Sequence, residues 1–444
     1  MSLQQLLEFL PEVKKPEEKK LGFNTKLKWT LITLVSFFIL SNIPLYGLAT
    51  NSLSRFEFLA VILGTQFGSV ISLGIGPIVM ASIILQLLVG AKLLDIDMSS
   101  HEGKSTFQGL QKLLVIFFCI FEATIYVMMR GLEAAPGYTS ILILQLFLGG
   151  LLIMFMDEVI SKWGFGSGVS LFIAAGVGWQ LFVTAFGFLD AQNRVSAVGK
   201  VWTFFVSLSA GDTVNAAVAL SAILATLLIF FLVVWAQGIK VEVPLSFGSI
   251  RGFGMKWPLA LFYASNIPVI LTAALLANIT LFATLLQNWA GWDPSFIIGI
   301  VSPQNLIGSI IRGSFTGTLI LQSLVYILLM IGGSIMFAVF WVKTAGMEAG
   351  NVANQILGSG LQIPGFRRDP RVLESVLSRY IMPLTIMGGA TIGILSATAD
   401  LMGALVGGTG LLLAVMIFYK LYEDIAQQHA YDMYPALRKV MVKQ

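Results

Sequence analysis

Charged side chains are scarce in this sequence. They make up 11% of the 444 residues, whereas 57% are hydrophobic and the mean hydropathy is +0.86. A soluble domain contains about 25% charged residues. The only cysteine, Cys119, lies inside an apolar run, which excludes a disulfide framework and a thiol metal site. The composition excludes a soluble globular domain and predicts an all-α polytopic membrane protein.

Residues for catalysis at membrane depth are also missing. The two histidines, His101 and His429, fall in predicted cytoplasmic segments. The stretch 164–168, Gly-Phe-Gly-Ser-Gly, resembles a nucleophile turn, but no base lies at similar depth in a neighbouring span. The stretch 407–410, Gly-Gly-Thr-Gly, lacks the Gly-Lys-Ser/Thr ending of a phosphate loop. We therefore interpret 164–168 as the start of the fifth span and 407–410 as a tight packing site, and expect no enzyme activity, no metal and no other cofactor.

Long apolar segments dominate the chain instead. Since about 20 residues cross a bilayer core, ten spans are predicted, at 27–47, 73–91, 109–130, 138–158, 168–188, 213–237, 259–283, 315–343, 377–398 and 401–421. No small-residue cleavage site follows the first run, so we expect it to be retained as a span. With a cytoplasmic N-terminus, 22 of the 27 Lys and Arg residues fall on the cytoplasmic side. The positive-inside rule then predicts that both termini are cytoplasmic.

Ten spans divide into five and five. An odd number places the second half upside down relative to the first, which allows an inverted repeat. The predicted halves are 1–200, with an amphipathic start at Leu3–Leu10 and spans 1–5, and 201–444, with spans 6–10.

Two cytoplasmic loops have structure of their own. In 238–258, an alternating strand at 241–247 leads to a glycine-rich tip with Arg251. In 344–376, two prolines and a glycine hold Arg367 and Arg368 at a turn. The loops predict a docking surface for a large acidic partner. The alternative is that their charge only sets topology.

Glu122 is the clear ionisable residue near the centre of a span. Carboxylates at that depth often mark ion coupling, so a secondary transporter is an alternative function. A packing contact between helices, for instance with Asn278, is equally compatible with the sequence.

The segment 56–90 is apolar but broken at 74–77, Gly-Ile-Gly-Pro. After the break, Ile75 and Val79 stand four residues apart, and Val169 and Ile173 repeat that spacing behind the glycines of 164–168. Branched aliphatic side chains at broken helices can form a constriction that excludes water. On spacing alone, ordinary core packing explains these residues as well.

The whole chain resembles the SecY family, the central subunit of the protein-translocation channel, and is most similar to the archaeal type. The resemblance rests on several segments in the family's order: Leu73-Gly-Ile-Gly-Pro-Ile-Val79, Gln86-Leu-Leu-Val-Gly90, Gly164-Phe-Gly-Ser-Gly-Val-Ser-Leu-Phe-Ile173, Ser265-Asn-Ile-Pro-Val-Ile270, Pro364-Gly-Phe-Arg367 and Gly407-Gly-Thr-Gly410.

The resemblance implies two inverted five-helix halves around a central pore, and it assigns roles to particular residues. The pore ring would be Ile75, Val79, Val169, Ile173, Ile270 and Leu405. A short plug helix at about 57–68 would contribute Leu59, Ile62, Leu63 and Phe67. The lateral gate would carry Gln86, Glu122, Asn266 and Asn278, with Met80 where some relatives have a hydroxyl residue. Docking would use Arg251, Lys256, Arg367 and Arg368.

The resemblance also implies a function and partners. We expect a channel that translocates secretory polypeptides and releases membrane segments into lipid, gated by signal sequences. The implied partners are small SecE/gamma-type and beta-type membrane subunits, a ribosome or cytosolic motor, signal peptides and nascent chains, and membrane lipid. The implied location is the cell membrane.

Overall fold

The structure is a computed structural model that describes residues 11–17, 21–55, 60, 64–91, 93–94, 96, 100–188, 198–247, 254–290, 293–358, 361–362 and 369–433. Several sequence predictions lie outside these residues, namely those for Leu3–Leu10, Leu59, Ile62, Leu63, Arg251, Arg367 and Arg368.

The ten predicted spans each coincide with a helix of the described chain. These helices are α1 (Phe23–Ser41), α2 (Gly76–Gly90), α3 (His101–Met128), α4 (Thr139–Trp163), α5 (Gly168–Phe186), α7 (Thr213–Gln237), α8 (Ile267–Ala290), α11 (Gly317–Thr344), α13 (Pro370–Leu401) and α14 (Gly408–Met433). Eight helical segments are long and apolar enough to cross a membrane, while α2 is apolar but has only 15 residues. The prediction of an all-α polytopic membrane protein is confirmed.

Shorter elements connect the spans. They are β1 (Leu48–Asn51), a 3₁₀ turn (Ser52–Arg55), β2 (Leu132–Ala134), α6 (Lys200–Ser209), β3 (Lys240–Phe247), β4 (Gly254–Ala260), α9 (Ser295–Val301), α10 (Leu306–Ile311), α12 (Ala349–Gly358) and β5 (Leu361–Gln362). Strands β3 and β4 form an antiparallel hairpin at one end of the bundle, which we call the hairpin face. Strands β1 and β2 and helices α9 and α10 lie between span ends on the opposite face.

Three of the spans that begin in connecting loops are capped by their own N-cap side chains. Ser100 accepts a hydrogen bond from Gly103 N at the start of α3, and Asp212 accepts one from Asn215 N at the start of α7. Asp369 does the same for Arg371 N at the start of α13. These side chains satisfy backbone N–H groups that have no partner within the helix.

The neighbour pattern of the first five spans is repeated by the last five. In the first half α1 packs on α4 and α5, α2 on α3, α3 on α4, and α4 on α5. In the second half α7 packs on α13 and α14, α8 on α11, α11 on α13, and α13 on α14. Each of these contacts in the first half has its counterpart in the second, as expected for a repeat of five spans. Helix α8 also contacts α13 and α14. The division at residue 200 stays a prediction.

The two halves meet along two seams. Helix α5 contacts α14 at one seam, and α2 contacts α8 and α11 at the other. The second seam is tightly packed at both ends. A Cβ atom added at Gly90 would lie 2.6 Å from the Phe340 ring, and one added at Gly131 would lie 2.6 Å from Leu285 Cδ2. Both distances are below normal contact, so a side chain at either glycine would require the facing side chain to shift.

The break in segment 56–90 has the expected position but a different local form. Gly74 has φ +52° in the turn before α2, and Pro77 lies in the first turn of α2. Pro77 is favourable there because a first-turn N–H has no helical partner. Gly76 is the first residue of α2 rather than part of the turn. Residues 64–75 form turns, so the prediction that the plug helix continues to 68 is wrong.

Residues 11–17 of the N-terminal arm lie against the end of α4 at the hairpin face. Lys162 Nζ donates to Glu12 Oε1 at 2.5 Å and to Val13 O at 2.6 Å, and Trp163 Nε1 donates to Lys14 O at 2.9 Å. Lys162 also pairs with Glu158 at 2.8 Å. The Lys162 hydrogen bond lowers the pKa of Glu12 below its ordinary value of 4.5. The arm is therefore attached to α4 through a charged group.

We expect this attachment to weaken in acid. Because the pKa of Glu12 is lower when the arm is docked than when it is free, docking is fully favoured above pH 4.5 and is lost as the pH falls through the lowered value. A bimane label on Val13→Cys would be quenched by Trp163 in the docked arm, and its fluorescence should rise in acid. Cys119, the other thiol, is buried.

Glu12→Gln should raise the fluorescence at pH 7 and flatten its pH dependence. Glu17→Gln is the matched control, because Glu17 pairs with Lys14 and both of these side chains are exposed. Equal effects of the two variants would contradict a specific role for Glu12.

Candidate functional site

A cavity of 760 Å³ opens at the hairpin face between the two halves. Among its lining residues are Val79 of α2, Val169 of α5 and Ile270 of α8, three members of the predicted ring. Polar residues such as Gln108 and Gln111 of α3 line it as well. The cavity is therefore lined by polar side chains from α3 and by branched aliphatic side chains from α2, α5 and α8.

A second cavity, of 280 Å³, lies toward the opposite face. Its walls include Leu405 from the connection between α13 and α14, together with Lys200 and Arg312. Leu405 N donates to Thr226 Oγ1 at 3.0 Å, near the middle of α7. Leu405 therefore lies at about half the length of that span.

The two remaining predicted ring residues are fully buried. Ile75 and Ile173 each have 0% relative exposure and line neither of these two cavities. All six predicted ring residues belong to, or pack against, one hydrophobic cluster that spans both halves. The structure thus brings them into one apolar region between cavities on opposite sides, although whether they act as a ring stays a prediction.

The described end of the predicted plug contacts α5 directly beside that region. A Cβ atom at Gly64 would lie 3.6 Å from the Phe172 carbonyl carbon and 3.7 Å from Ile173 N. Thr65 Oγ1 donates to Ile71 O at 2.6 Å, and Phe67 is half-buried against the core. This segment therefore packs against α5 next to Ile173, one of the predicted ring residues.

The predicted gate residues are buried along the α2 seam, and several of their polar atoms have no hydrogen-bond partner. Gln86, Glu122, Asn266 and Asn278 are all at most 5% exposed. Within the described chain, Gln86 Oε1, Asn278 Oδ1 and both Glu122 oxygens accept no hydrogen bond. Each unpaired buried group costs about 1–3 kcal/mol. The closed seam is consequently less stable than its tight packing alone would make it.

The expected contact between Glu122 and Asn278 is absent from the described structure. Asn278 Nδ2 donates instead to Ala274 O, one turn back in α8. The Glu122 carboxylate lies against α2, where a Cβ at Gly76 would be 3.0 Å from Oε2. The missing side chain of Gly76 makes room for Glu122, so the two residues fit together across α2 and α3.

The two predicted docking loops are joined in one sheet. Strand β3 pairs with β4 and, through Ser246 and Phe247, with Gln362 and Leu361 of β5. The alternating pattern of 241–247 predicts β3 but not its pairing with β5, because that pairing joins segments more than 100 residues apart. The sheet brings the segments next to Arg251 and Arg367 to the same face.

Lys256 is the predicted docking residue that the structure describes. Its ammonium group donates to Glu242 Oε2 at 2.5 Å, and its side chain is 73% exposed. The hydrogen bond with Glu242 raises the pKa of Lys256. A docking partner would therefore meet an ion pair here rather than a lone positive charge.

The described residues contain no group of three or more His, Cys, Asp or Glu side chains that could hold a metal ion. The arrangement is instead two cavities on opposite sides of the apolar region that contains the six predicted ring residues.

Comparisons with known proteins identify this arrangement. The SecY family model matches residues 69–422, and the model described as the plug domain of Sec61p matches residues 36–68. The protein translocase subunit SecY of Methanothermobacter thermautotrophicus is 45% identical over 450 residues, which cover 98% of this chain and 97% of that protein. The resemblance of the sequence to the SecY family is confirmed.

Solved structures have the same fold. One described as a protein-conducting channel is 37% identical, has a TM-score of 0.84 and is matched over 98% of this chain and 99% of its own. Sec61 in the canine ribosome-channel complex from the endoplasmic reticulum is also 37% identical, with a TM-score of 0.80 and the same coverage. Since the matches extend over nearly the whole chain, this protein belongs to the SecY family of protein-translocation channel subunits.

Proposed function

We propose that this chain is a protein-conducting channel that passes secretory polypeptides across the membrane and releases membrane segments sideways into lipid. The observation that carries the proposal is the aliphatic closure between two cavities on opposite sides. A solute transporter with a site at a broken helix is not favoured, because the compared relatives are named translocase subunits.

The predicted ring suits a polypeptide substrate. Ile, Val and Leu side chains offer no hydrogen bonds to a passing chain, so they select no particular sequence. They also exclude water from a narrow constriction and so block ions when closed. The segment at Gly64, seated against Ile173, supports a plug below this constriction.

The α2 seam is proposed as the lateral gate. Its unpaired polar atoms on Gln86, Glu122 and Asn278 would be hydrated or bonded once the seam opens, which lowers the cost of opening. A sufficiently apolar segment in the open seam would then enter lipid, because Leu and Ile each gain about 0.3 to 0.6 kcal/mol there.

We also propose an orientation, which the charge distribution supports, and partners, which the family resemblance implies. The hairpin face carries the segments next to Arg251, Arg367 and Arg368 and is proposed as the cytoplasmic docking surface for a ribosome or motor. The solved Sec61 relative comes from a ribosome-channel complex. Both chain ends would be cytoplasmic in the cell membrane, with small SecE/gamma-type and beta-type subunits against the lipid-facing helices.

The function is tested by crosslinking a stalled, ribosome-bound secretory chain to cysteines placed at Ile75, Val79 and Ile173. We expect crosslinks at all three positions, because a translocating chain must pass the constriction. Leu144→Cys, exposed on the outside of α4, should give none. Labelling at Leu144 but not at the three positions would exclude the conduit.

Polar substitutions in the proposed ring should make the resting channel leak. Ile75→Asn, Val79→Asn and Ile173→Asn each place a hydrogen-bonding side chain where water is now excluded. We expect higher ion conductance in planar bilayers and export of precursors with defective signal sequences. Leu146→Asn, equally buried on α4, should lower stability without raising conductance. Leakage from that control alone would argue against the ring assignment.

Charge reversal on the hairpin face should weaken ribosome binding. Arg251→Glu and Arg367→Glu each remove a positive charge that would contact RNA phosphate. Co-sedimentation with ribosomes should fall, and more steeply as salt is raised. Arg312→Glu on the opposite face should bind normally, and equal losses in all three variants would point to a non-specific charge effect.

A further inference from the structure

Two spans begin at a buried glycine that lies against an aspartate of the preceding span. The spans are α5 and α14, and the aspartates are Asp157 of α4 and Asp400 of α13. The first N–H groups of a helix have no partner within it, and away from bulk water they need another acceptor. A carboxylate suits this position because it also complements the positive end of the helix dipole.

In the first half, Asp157 provides the cap that α5 lacks. The N-cap residue Ser167 makes no side-chain capping bond. Instead, Asp157 Oδ1 accepts a hydrogen bond from Val169 N at 2.9 Å. Asp157 lies eleven residues before Gly168 in the chain. A Cβ atom at Gly168 would lie 2.5 Å from Asp157 Cα. Helix α5 can therefore start at this depth only with glycine next to Asp157.

In the second half, Asp400 makes the same contact with α14. Its Oδ1 accepts from Gly408 N at 2.6 Å and from Thr409 N at 3.3 Å. Its Oδ2 accepts from Thr409 Oγ1 at 2.6 Å and from Tyr326 Oη of α11 at 2.7 Å. Asp400 is only 4% exposed. All of the carboxylate's bonds are therefore made within the protein.

The two sites correspond by position in the repeat. Helices α4 and α5 are the fourth and fifth spans of the first half, and α13 and α14 are those of the second. Gly408, like Gly168, leaves no room for a side chain, since a Cβ would lie 2.2 Å from Asp400 N. A glycine with positive φ precedes each helix start, Gly166 at +71° and Gly407 at +73°. Similar geometry at both repeat positions argues against coincidence.

Both contacts are adjacent to the predicted ring. The amide that Asp157 binds belongs to Val169, and Ile173 follows one turn later. Leu405 lies three residues before Gly408, and its own amide is bound by Thr226. The connection that carries Leu405 is thus fixed at one point by Thr226 and at another by Asp400.

We propose that Asp157 and Asp400 are paired positioning residues, one in each half, which fix the depth and register of the ring side chains on α5 and before α14. Thr226 completes the second site. This inference rests on the proposed function, because it concerns how that ring is held closed.

The chemistry distinguishes a positioning role from general stability. Asp→Asn keeps Oδ1 as an acceptor for the backbone amides, whereas Asp→Ala removes it. Thr226→Ser keeps the hydroxyl group that Leu405 N contacts, whereas the isosteric Thr226→Val removes it. Tyr326→Phe removes a bond to Asp400 but leaves the bonds between Asp400 and α14 in place.

The test measures resting ion flux of purified channels in planar bilayers, together with melting temperature. We expect about a tenfold rise in resting flux for Asp157→Ala, Asp400→Ala and Thr226→Val, equivalent to about 1.4 kcal/mol in the closed-state equilibrium. Asp157→Asn, Asp400→Asn and Thr226→Ser should restore most of the closure. Tyr326→Phe should leak no more than wild type even if its melting temperature falls.

Matched controls lie next to each aspartate. Glu158→Ala removes ion pairs to Lys112 and Lys162 without touching α5. Thr398→Val removes a bond to Ile394 O within α13. Neither should raise the flux. Flux that follows melting temperature across all variants, controls included, would overturn the positioning role.

The outcome separates this inference from the proposed function. Ile75→Asn is measured in parallel: if it leaks while the alanine variants stay sealed, the positioning role fails and the ring stands. If neither Ile75→Asn nor the alanine variants leak, the ring assignment is wrong, and the positioning role that rests on it is rejected as well. If the alanine variants do not accumulate, the resting ion flux of Thr226→Val is compared with that of Thr226→Ser. Equal flux from these two variants would reject the inference.

Discussion

A polypeptide backbone inside a bilayer must bond every N–H and C=O group internally, and a channel makes that requirement harder. A span whose first residue is buried needs an acceptor for its first N–H groups from elsewhere in the protein. Three spans here meet the requirement differently. Helix α2 begins with Gly76 and Pro77, while α5 and α14 each begin against a carboxylate. The position of the apolar closure depends on these starts.

The need to pair buried polar groups also bears on the α2 seam. Along the α2 seam, tight glycine contacts at Gly90 and Gly131 lie beside polar atoms that have no partner. Packing favours closure there, and the unpaired groups oppose it. A seam that is both well packed and imperfectly bonded can open at modest cost, which suits a gate between water and lipid.

The sequence was sufficient to predict the ten spans and the break at 74–77, because hydropathy and glycine-proline patterns act locally. The glycines of 164–168 were predicted to open the fifth span for the same reason, whereas 407–410 was predicted only as a tight packing site, although α14 begins there. Three things could not be predicted. The bonds of Asp157 and Asp400, the pairing of β3 with β5 and the bond of Asn278 to its own helix depend on which segments meet in space. An acidic residue eight to eleven positions before a glycine-rich helix start was the available clue to the aspartates.

Each aspartate is close in the chain to the glycine it contacts, and this proximity determines how early each contact can form during synthesis. Asp157 and Gly168 emerge together, as do Asp400 and Gly408, so each contact forms within one helical hairpin. The first half can fix the start of α5 while the second half is still being synthesised. A newly made half therefore need not wait for its counterpart before its share of the barrier is in place.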